Sequence, residues 1–292
     1  MVLADDLPSV LASLKSGEPG DPDSMSEIAR AFVEGRAEAL GGLPIDAVDA
    51  VAVCPCGTPE PSGALGRRFC TCPLGAERRR AFERSITAGH AACEVPDRLA
   101  SATLARCREA VRDAATAAER QMRHEATAAA ERFETAIREE RRPGAGLCLT
   151  GSVGTGKSFT LAALTHALRQ RGVPVAWTTY ASLVAAVRRH YGTPIADSVE
   201  ANLQRCPVLV IDDLGDPFRT RGDVQETEDK RRILLGVIAE RSARLLPTLV
   251  SANYGSLGDM AEQLDPRIAD RIRESCELHT LSGPSLRRAP SI

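Results

Sequence analysis

The pattern of apolar and polar positions changes texture once along the chain, near residue 145. Beyond that point short apolar runs alternate with stretches of helical period: "GLCLT" (146–150), "VPVAWTT" (173–179), "VLVIDD" (208–213), "PTLVSAN" (247–253) and "ELHTLSG" (277–283). Runs of this length between turn residues read as strands, and strands alternating with helices predict a parallel sheet covered on both faces. Before that point, residues 96–142 are rich in alanine and arginine, a helix-forming composition that Pro143-Gly144 stops. The apolar stripe there is thin, which predicts a solvated helix or one leaning on a partner; small alanines in the seam argue against a coiled coil. Residues 1–53 carry Pro and Gly breaks and one amphipathic candidate, "DSMSEIARAFVEGRAEAL", with Ile28, Phe32 and Val33 on one face. Three regions are expected: an N-terminal region over 1–94, a helical lead-in over 95–142, and an α/β core over 143–292.

Composition alters this picture little. A chain of 292 residues suits one large domain or two smaller ones, and 43% hydrophobic with 26% charged residues is ordinary for a globular protein. A formal net charge of −2 gives no global bias toward nucleic acid or membrane, so any basic surface is local. No apolar run approaches the roughly 20 residues that span a bilayer, and "MVLADDLPSV" lacks the pattern of a secretion signal. The nine cysteines are odd in number, and five (Cys93, Cys107, Cys148, Cys206 and Cys276) stand singly, unlike a disulfide framework. We expect a cytoplasmic, reduced protein in which clustered thiols serve as metal ligands.

Chemistry concentrates where the strands end. "GSVGTGKS", Gly151, Ser152, Val153, Gly154, Thr155, Gly156, Lys157 and Ser158, fits G-x-x-x-x-G-K-[ST] between a predicted strand and the helical "FTLAALTHALRQRG" that opens with Phe159. Glycines let backbone N–H groups wrap phosphates, and the helix N-terminus adds a favourable dipole. Lys157 is expected on the terminal phosphates of ATP and Ser158 on Mg²⁺. Only three lysines stand among the 37 basic residues, which makes the one here informative. "VLVIDDLG" ends in two acids: Asp212 is expected to hold Mg²⁺ and Asp213 to orient the attacking water. In isolation that doublet would read as an acidic turn; it gains weight from following the phosphate loop. "LVSAN" ends in Asn253, expected beside the terminal phosphate. In "DPRIADRIRES", Arg267 and Arg271 share a helical face. One of them is expected to act in trans as an arginine finger, against the alternative of a solvated face paired with Asp265, Asp270 and Glu274 around Arg267, Arg271 and Arg273.

The order "GSVGTGKS … VLVIDDLG … VSAN … DPRIADRIRE … LSGPSLR", with "VPDRLASATL" before it, resembles the AAA+ ATPases of the DnaC/IstB group over about residues 95–288. That group holds replicative helicase loaders and ATPase partners of transposases. The resemblance implies a RecA-like P-loop core with a parallel five-stranded sheet that binds ATP, multimerises and engages DNA. It places Lys157, Asp212, Asp213 and Asn253 in the motif A, motif B and sensor roles, Arg267 or Arg271 as finger, and Arg287 as a further nucleotide-side contact. Two features depart from the group. "SAN" stands where the group has "TSN", and only nine residues follow Gly283, which leads us to expect a core lacking a C-terminal lid that hydrolyses slowly alone.

Cys54, Cys56, Cys70 and Cys72 form two C-x-C pairs around a Pro- and Gly-bearing loop. Four thiolates suit tetrahedral Zn²⁺, which can staple a segment with little core of its own. An iron–sulfur cluster and free or disulfide cysteines are the alternatives, with His90 and Cys93 as reserve ligands. The resemblance supports zinc in a module that docks the partner. Arg67, Arg68, Arg78, Arg79 and Arg80 offer this region a nucleic-acid or acidic-protein contact. The clip is expected to stand tens of ångströms from the phosphate loop, held off by the alanine-rich helix. The leading functional expectation is a helicase loader acting in replication initiation, with a replicative helicase, single-stranded DNA and further copies of itself as partners. A transposase helper of the IstB kind, and a DNA-binding adaptor that barely hydrolyses ATP, are the alternatives. A nucleotide kinase is the weakest, since no acceptor-binding segment is apparent.

Overall fold

In the computed structural model, residues 54–57, 60, 62–63, 65–86, 94–189, 194–215 and 224–286 are described. The amphipathic candidate at 23–40, the reserve ligands His90 and Cys93, and Arg287 lie outside them. The five apolar runs all become strands: β3 Gly146–Gly151, β4 Val175–Thr179, β5 Val208–Leu214, β6 Thr248–Ala252 and β7 Cys276–Leu281. They form one parallel sheet in the order β4-β5-β6-β3-β7. A short antiparallel pair, β1 Ser62–Gly63 with β2 Gly66–Arg67, belongs to the cysteine clip.

Side chains alternate across the sheet, and each face feeds its own core. Cys148, Ala176, Leu209, Ile211, Val250 and Ala252 face one set of helices: α5 Tyr180–Arg189, α6 Pro194–Arg205, α7 Val224–Ala243, α8 Leu257–Gln263 and α9 Pro266–Ser275. Leu147, Leu149, Val175, Trp177, Val208, Val210 and Leu249 face α2 Leu104–Arg112, α3 Ala117–Arg138 and α4 Lys157–Gln170. Burial on both faces is why the strands read as unbroken apolar runs rather than as alternating ones. Among the described residues, no helix is long and apolar enough to cross a membrane.

The lead-in is two helices rather than one, and of the two expected arrangements it takes the one that leans on a partner. A 3₁₀ turn at Asp97–Leu99 is followed by α2 and α3, each capped by a threonine whose hydroxyl accepts a backbone N–H: Thr103 from Arg106 and Thr116 from Glu119. The partner on which α3 leans is the chain's own sheet. Ala126, Ala129 and Ala130 let the helix approach closely, and Phe133 and Ile137 fill the remaining space. The thin stripe is thus a close-packing face.

The cysteine clip departs further, because it is bolted to the core. The Phe69 N–H donates to the Gly172 carbonyl at 2.8 Å, and Arg68 donates to the Ile137 carbonyl at 2.7 Å. Gly172, at φ 74°, lies so close beneath the clip that a Cβ would sit 1.9 Å from the Phe69 carbonyl oxygen, so no other residue fits there. Helix α1, Pro73–Ile86, continues the clip and ends with Ile86 in the same core as α5 and α6. Its Glu83 is buried: one carboxylate oxygen takes the Arg79 guanidinium at 2.9 Å and the Val175 N–H at 2.9 Å, and the other takes Arg169 at 2.9 Å. Arg68, Arg78 and Arg79 are therefore spent inside the fold, Arg78 on Glu60 at 2.8 Å, and Arg80 stays exposed. The separation of clip and phosphate loop comes from α4, not from a rod: the loop opens this helix and the clip meets Gly172 just beyond its end, a span of about 20 Å at 1.5 Å per residue. Replacing Glu83 with alanine takes the carboxylate from the buried Arg79 and from the half-buried Arg169, and urea unfolding should show a loss of about 3–5 kcal/mol. A stability within error of the parent would mean that the clip carries no load.

Candidate functional site

The site is assembled at the carboxyl edge of the sheet, where β3, β5 and β6 end side by side and ligands of open α/β sheets bind. The loop between β3 and α4 is stapled on both flanks. Gly151 N–H donates to the Tyr254 carbonyl at 2.7 Å, beyond β6, and Ser152 N–H to the Leu281 carbonyl at 3.1 Å, at the end of β7. Lys157, only 5% exposed, donates its ammonium to the Gly151 and Ser152 carbonyls at 2.9 and 2.7 Å, which holds the charge at the mouth of the loop. Val153 at the tip is exposed, Thr155 braces the turn through the Ser152 carbonyl, and Phe159 packs under the Arg106 guanidinium.

The two acids at the end of β5 take different environments. Asp212 is 3% exposed, and its Oδ1 accepts hydroxyls from Ser158 at 2.7 Å and Ser251 at 2.5 Å. Asp213 is exposed, at φ 59°, and accepts Asn253 Nδ2 at 2.6 Å. Left-handed backbone is uncommon outside glycine, although Asp is among the residues that tolerate it. A continuous chain of hydrogen bonds thus runs from Ser158 through Asp212 and Ser251 to Asp213 and Asn253. One hydroxyl and one buried carboxylate, 2.7 Å apart beside Lys157, make the hard-oxygen pair that Mg²⁺ takes alongside phosphate oxygens.

Two further groups join the cluster. Ser251 reads in the sequence only as part of a strand, although a hydroxyl in an otherwise apolar run is its signal. The C-terminal segment lies across the loop: the Leu286 N–H donates to the Gly154 carbonyl at 2.8 Å, and a Cβ on Gly154 would meet Ser285 Oγ at 2.1 Å. Gly154 is therefore needed for this close approach as well as for its φ of 84°.

Arg267 and Arg271 are not brought to this cluster. They lie on α9, which Asp265 N-caps at the Arg267 N–H, and both are exposed. Arg267 pairs with Asp265 at 3.0 Å and Arg271 with Glu274 at 2.6 Å, while Arg273 pairs with Asp270. The Arg267 guanidinium beside Asp265 holds that carboxyl below its usual range.

The clip gathers its four thiols. Cys54 and Cys72 lie 3.6 Å apart at sulfur, Cys56 and Cys70 lie 3.5 Å apart, and all four are within 4.8 Å of one another. A Zn–S bond of 2.3 Å gives a tetrahedral edge of about 3.8 Å, which these separations fit. Backbone N–H groups already point at two sulfurs, Gly75 at Cys72 and Cys72 at Cys70. No disulfide joins any of the four. The other described cysteines are core residues, and burial pushes their thiols up, Cys107 and Cys276 to about 11.

A phosphate loop between strand and helix, paired acids at a second strand end and a parallel sheet with this strand order define a P-loop nucleotide-binding protein of the AAA+ type. Residues 136–291 match the family described as IstB-like ATP binding protein, and the chain belongs to that family. It is also similar to solved structures. A DnaC helicase loader is 21% identical with a TM-score of 0.50, over 64% of this chain and 99% of that one. A DnaI is 26% identical with a TM-score of 0.47, over 66% and 94%. A putative primosome component from Streptococcus pyogenes serotype M3 is 26% identical with a TM-score of 0.43, over 57% and 82%. Comparison with curated proteins finds no match.

Proposed function

We propose that this chain is a magnesium-dependent ATPase that acts as a helicase loader in replication initiation. The observation that carries the ATPase reading is the hydrogen-bonded run from Ser158 to Asn253 beside Lys157. In this reading the loop Gly151–Ser158 and Phe159 cradle ATP, and Lys157 binds the terminal phosphates. Ser158 and Asp212 hold Mg²⁺, which neutralises phosphate charge when bound. Asp213 orients the water, with Asn253 fixing its carboxylate, and Arg287 meets the nucleotide from the C-terminal side. Turnover of ATP with and without Mg²⁺ and single-stranded DNA tests this; no turnover under any of these conditions points to an ATP-switched adaptor instead.

The loader reading draws on the DnaC-like fold together with the cysteine clip, which we read as a Zn²⁺ site that presents a surface to a replicative helicase. A cluster of several irons needs its thiolates spread more widely than 4.8 Å, which favours a single zinc ion. The family match favours a second reading, a transposase helper of the IstB kind. Co-purification with the replicative helicase, compared with a transposase, separates the two. Arg267 or Arg271 is proposed to reach a neighbour's nucleotide in an oligomer on DNA, exchanging an intrahelical acid for phosphate. An inactive double variant, Arg267→Ala with Arg271→Ala, should then regain part of its turnover when mixed with Lys157→Ala. Absence of rescue at every mixing ratio assigns these arginines to their own helix.

A further inference from the structure

β5 and β6 run in register up to Ile211 opposite Val250 and resume with Leu214 opposite Ala252. Two residues of β5, Asp212 and Asp213, therefore oppose a single residue of β6, Ser251. This is a β-bulge, a device that re-aims side chains next to active sites. It sends Asp212 inward to Ser158 and turns Asp213 out to Asn253 through its left-handed backbone. A bulge also costs ladder bonds, and the donor it frees here is the part-buried Asp213 N–H. Ser251, 1% exposed, accepts that N–H at 2.9 Å and donates its own proton to Asp212 Oδ1 at 2.5 Å. One hydroxyl thus closes the ladder and holds both acids.

We infer that Ser251 is a positioning residue for ATP hydrolysis, which sets the spacing between the metal-side acid and the water-side acid. The inference rests on the ATPase reading above. With the hydroxyl in place, Asp212 Oδ1 is fixed by two donors and cannot rotate away from Ser158, and the backbone of Asp213 cannot relax out of the bulge. Without it, the Asp213 N–H loses the acceptor that holds it in the bulge and the carboxylate of Asp212 keeps the Ser158 donor. The hydroxyl bonds to both aspartates, so its effect is transmitted through them.

The test compares Ser251→Ala, Ser251→Cys and Ser251→Thr with the parent, reading turnover against Mg²⁺ concentration, Mg²⁺-free binding of a fluorescent ATP analogue, and melting. Ala and Cys should lose roughly 10- to 100-fold in kcat and need more Mg²⁺ for half-maximal rate, as outer partners of metal ligands do. Thr, which keeps the hydroxyl, should restore both. Mg²⁺-free binding should match the parent throughout. Cys refills the space that Ala vacates, so a folding defect in Ala leaves the comparison of Cys with Thr decisive. Parent-like kcat in Cys, or a loss that leaves the Mg²⁺ requirement unmoved and that Thr does not repair, overturns the inference. A parent without Mg²⁺-dependent turnover overturns the ATPase reading itself, a distinct result.

Discussion

Lys157→Ala should weaken ATP affinity by about 100-fold or more while the protein melts as the parent does. The side chain is almost wholly buried, and two carbonyls of the loop, on Gly151 and Ser152, hold its ammonium where phosphate oxygens must lie. On binding, the ammonium would meet phosphate oxygens; a hydrogen bond to a charged group contributes about 1.5–3 kcal/mol, and two such bonds to phosphate exceed the roughly 2.7 kcal/mol that a 100-fold change represents. The fold does not depend on it. The loop is tied to β6 and β7 by the Gly151 and Ser152 backbone bonds to Tyr254 and Leu281, which the substitution leaves alone. Arginine should not substitute, since its planar fork does not fit a cradle that receives a compact point charge. Titration of a fluorescent ATP analogue gives the affinity and a thermal melt gives the control. Parent-like affinity in a folded Lys157→Ala protein would remove the loop from the nucleotide site.

What was legible in the sequence was local. Five apolar runs and one glycine-rich loop each carry their signal within a few residues, so the strands and the phosphate loop could be read directly. The sheet order follows from how those strands pair, which no short window records. Most of what was missed is a long-range pairing. Glu83 in "AFERS" looks like one more solvated charge, and only its bond to the Val175 N–H, 92 residues away, makes it a buried pin. Arg241 is similar: it sits among charges in "AERSARL", yet it is fully buried, with its guanidinium donating to Thr248 and to the Leu203, Cys206 and Pro247 carbonyls. Burial lowers its pKa, and those acceptors join α6 to the strand after α7 without any carboxylate. The alanine-rich α3 leaves its packing open for the opposite reason. Alanine is a good helix former everywhere, so composition announces the helix and conceals which face is packed. Ser251 needed the register of two strands before its hydroxyl could be seen to serve both acids.

Exchanging Cys70 and Cys72 for serine should release about one equivalent of zinc and lower the melting temperature of the AAA+ core as well as of the clip. Half of the ligand set would be gone, and metal-binding free energy in a small site is folding free energy. Whether that loss stays in the clip depends on how the clip is attached. Leu65 sits in the core beneath α3 and α4, and Ile86 sits in the core on the other face of the sheet. Between them, Phe69 is bonded to Gly172, Arg68 to Ile137, and Glu83 to the first residue of β4. A clip tied at this many points unfolds with its support. A loss of about 5 kcal/mol in a unit of this size shifts the melting temperature by roughly 10–20 °C. ATP affinity measured well below the transition should stay near the parent's, because the proposed nucleotide site lies at the start of α4 and the clip meets Gly172 just past its end. Metal analysis, a melt followed by the intrinsic signal of Trp177 in β4, and a nucleotide titration provide the three readouts. Freshly purified parent protein without zinc sinks the metal assignment. A zinc-free variant whose AAA+ core melts at the parental temperature shows instead that the clip is an independent module resting on the sheet.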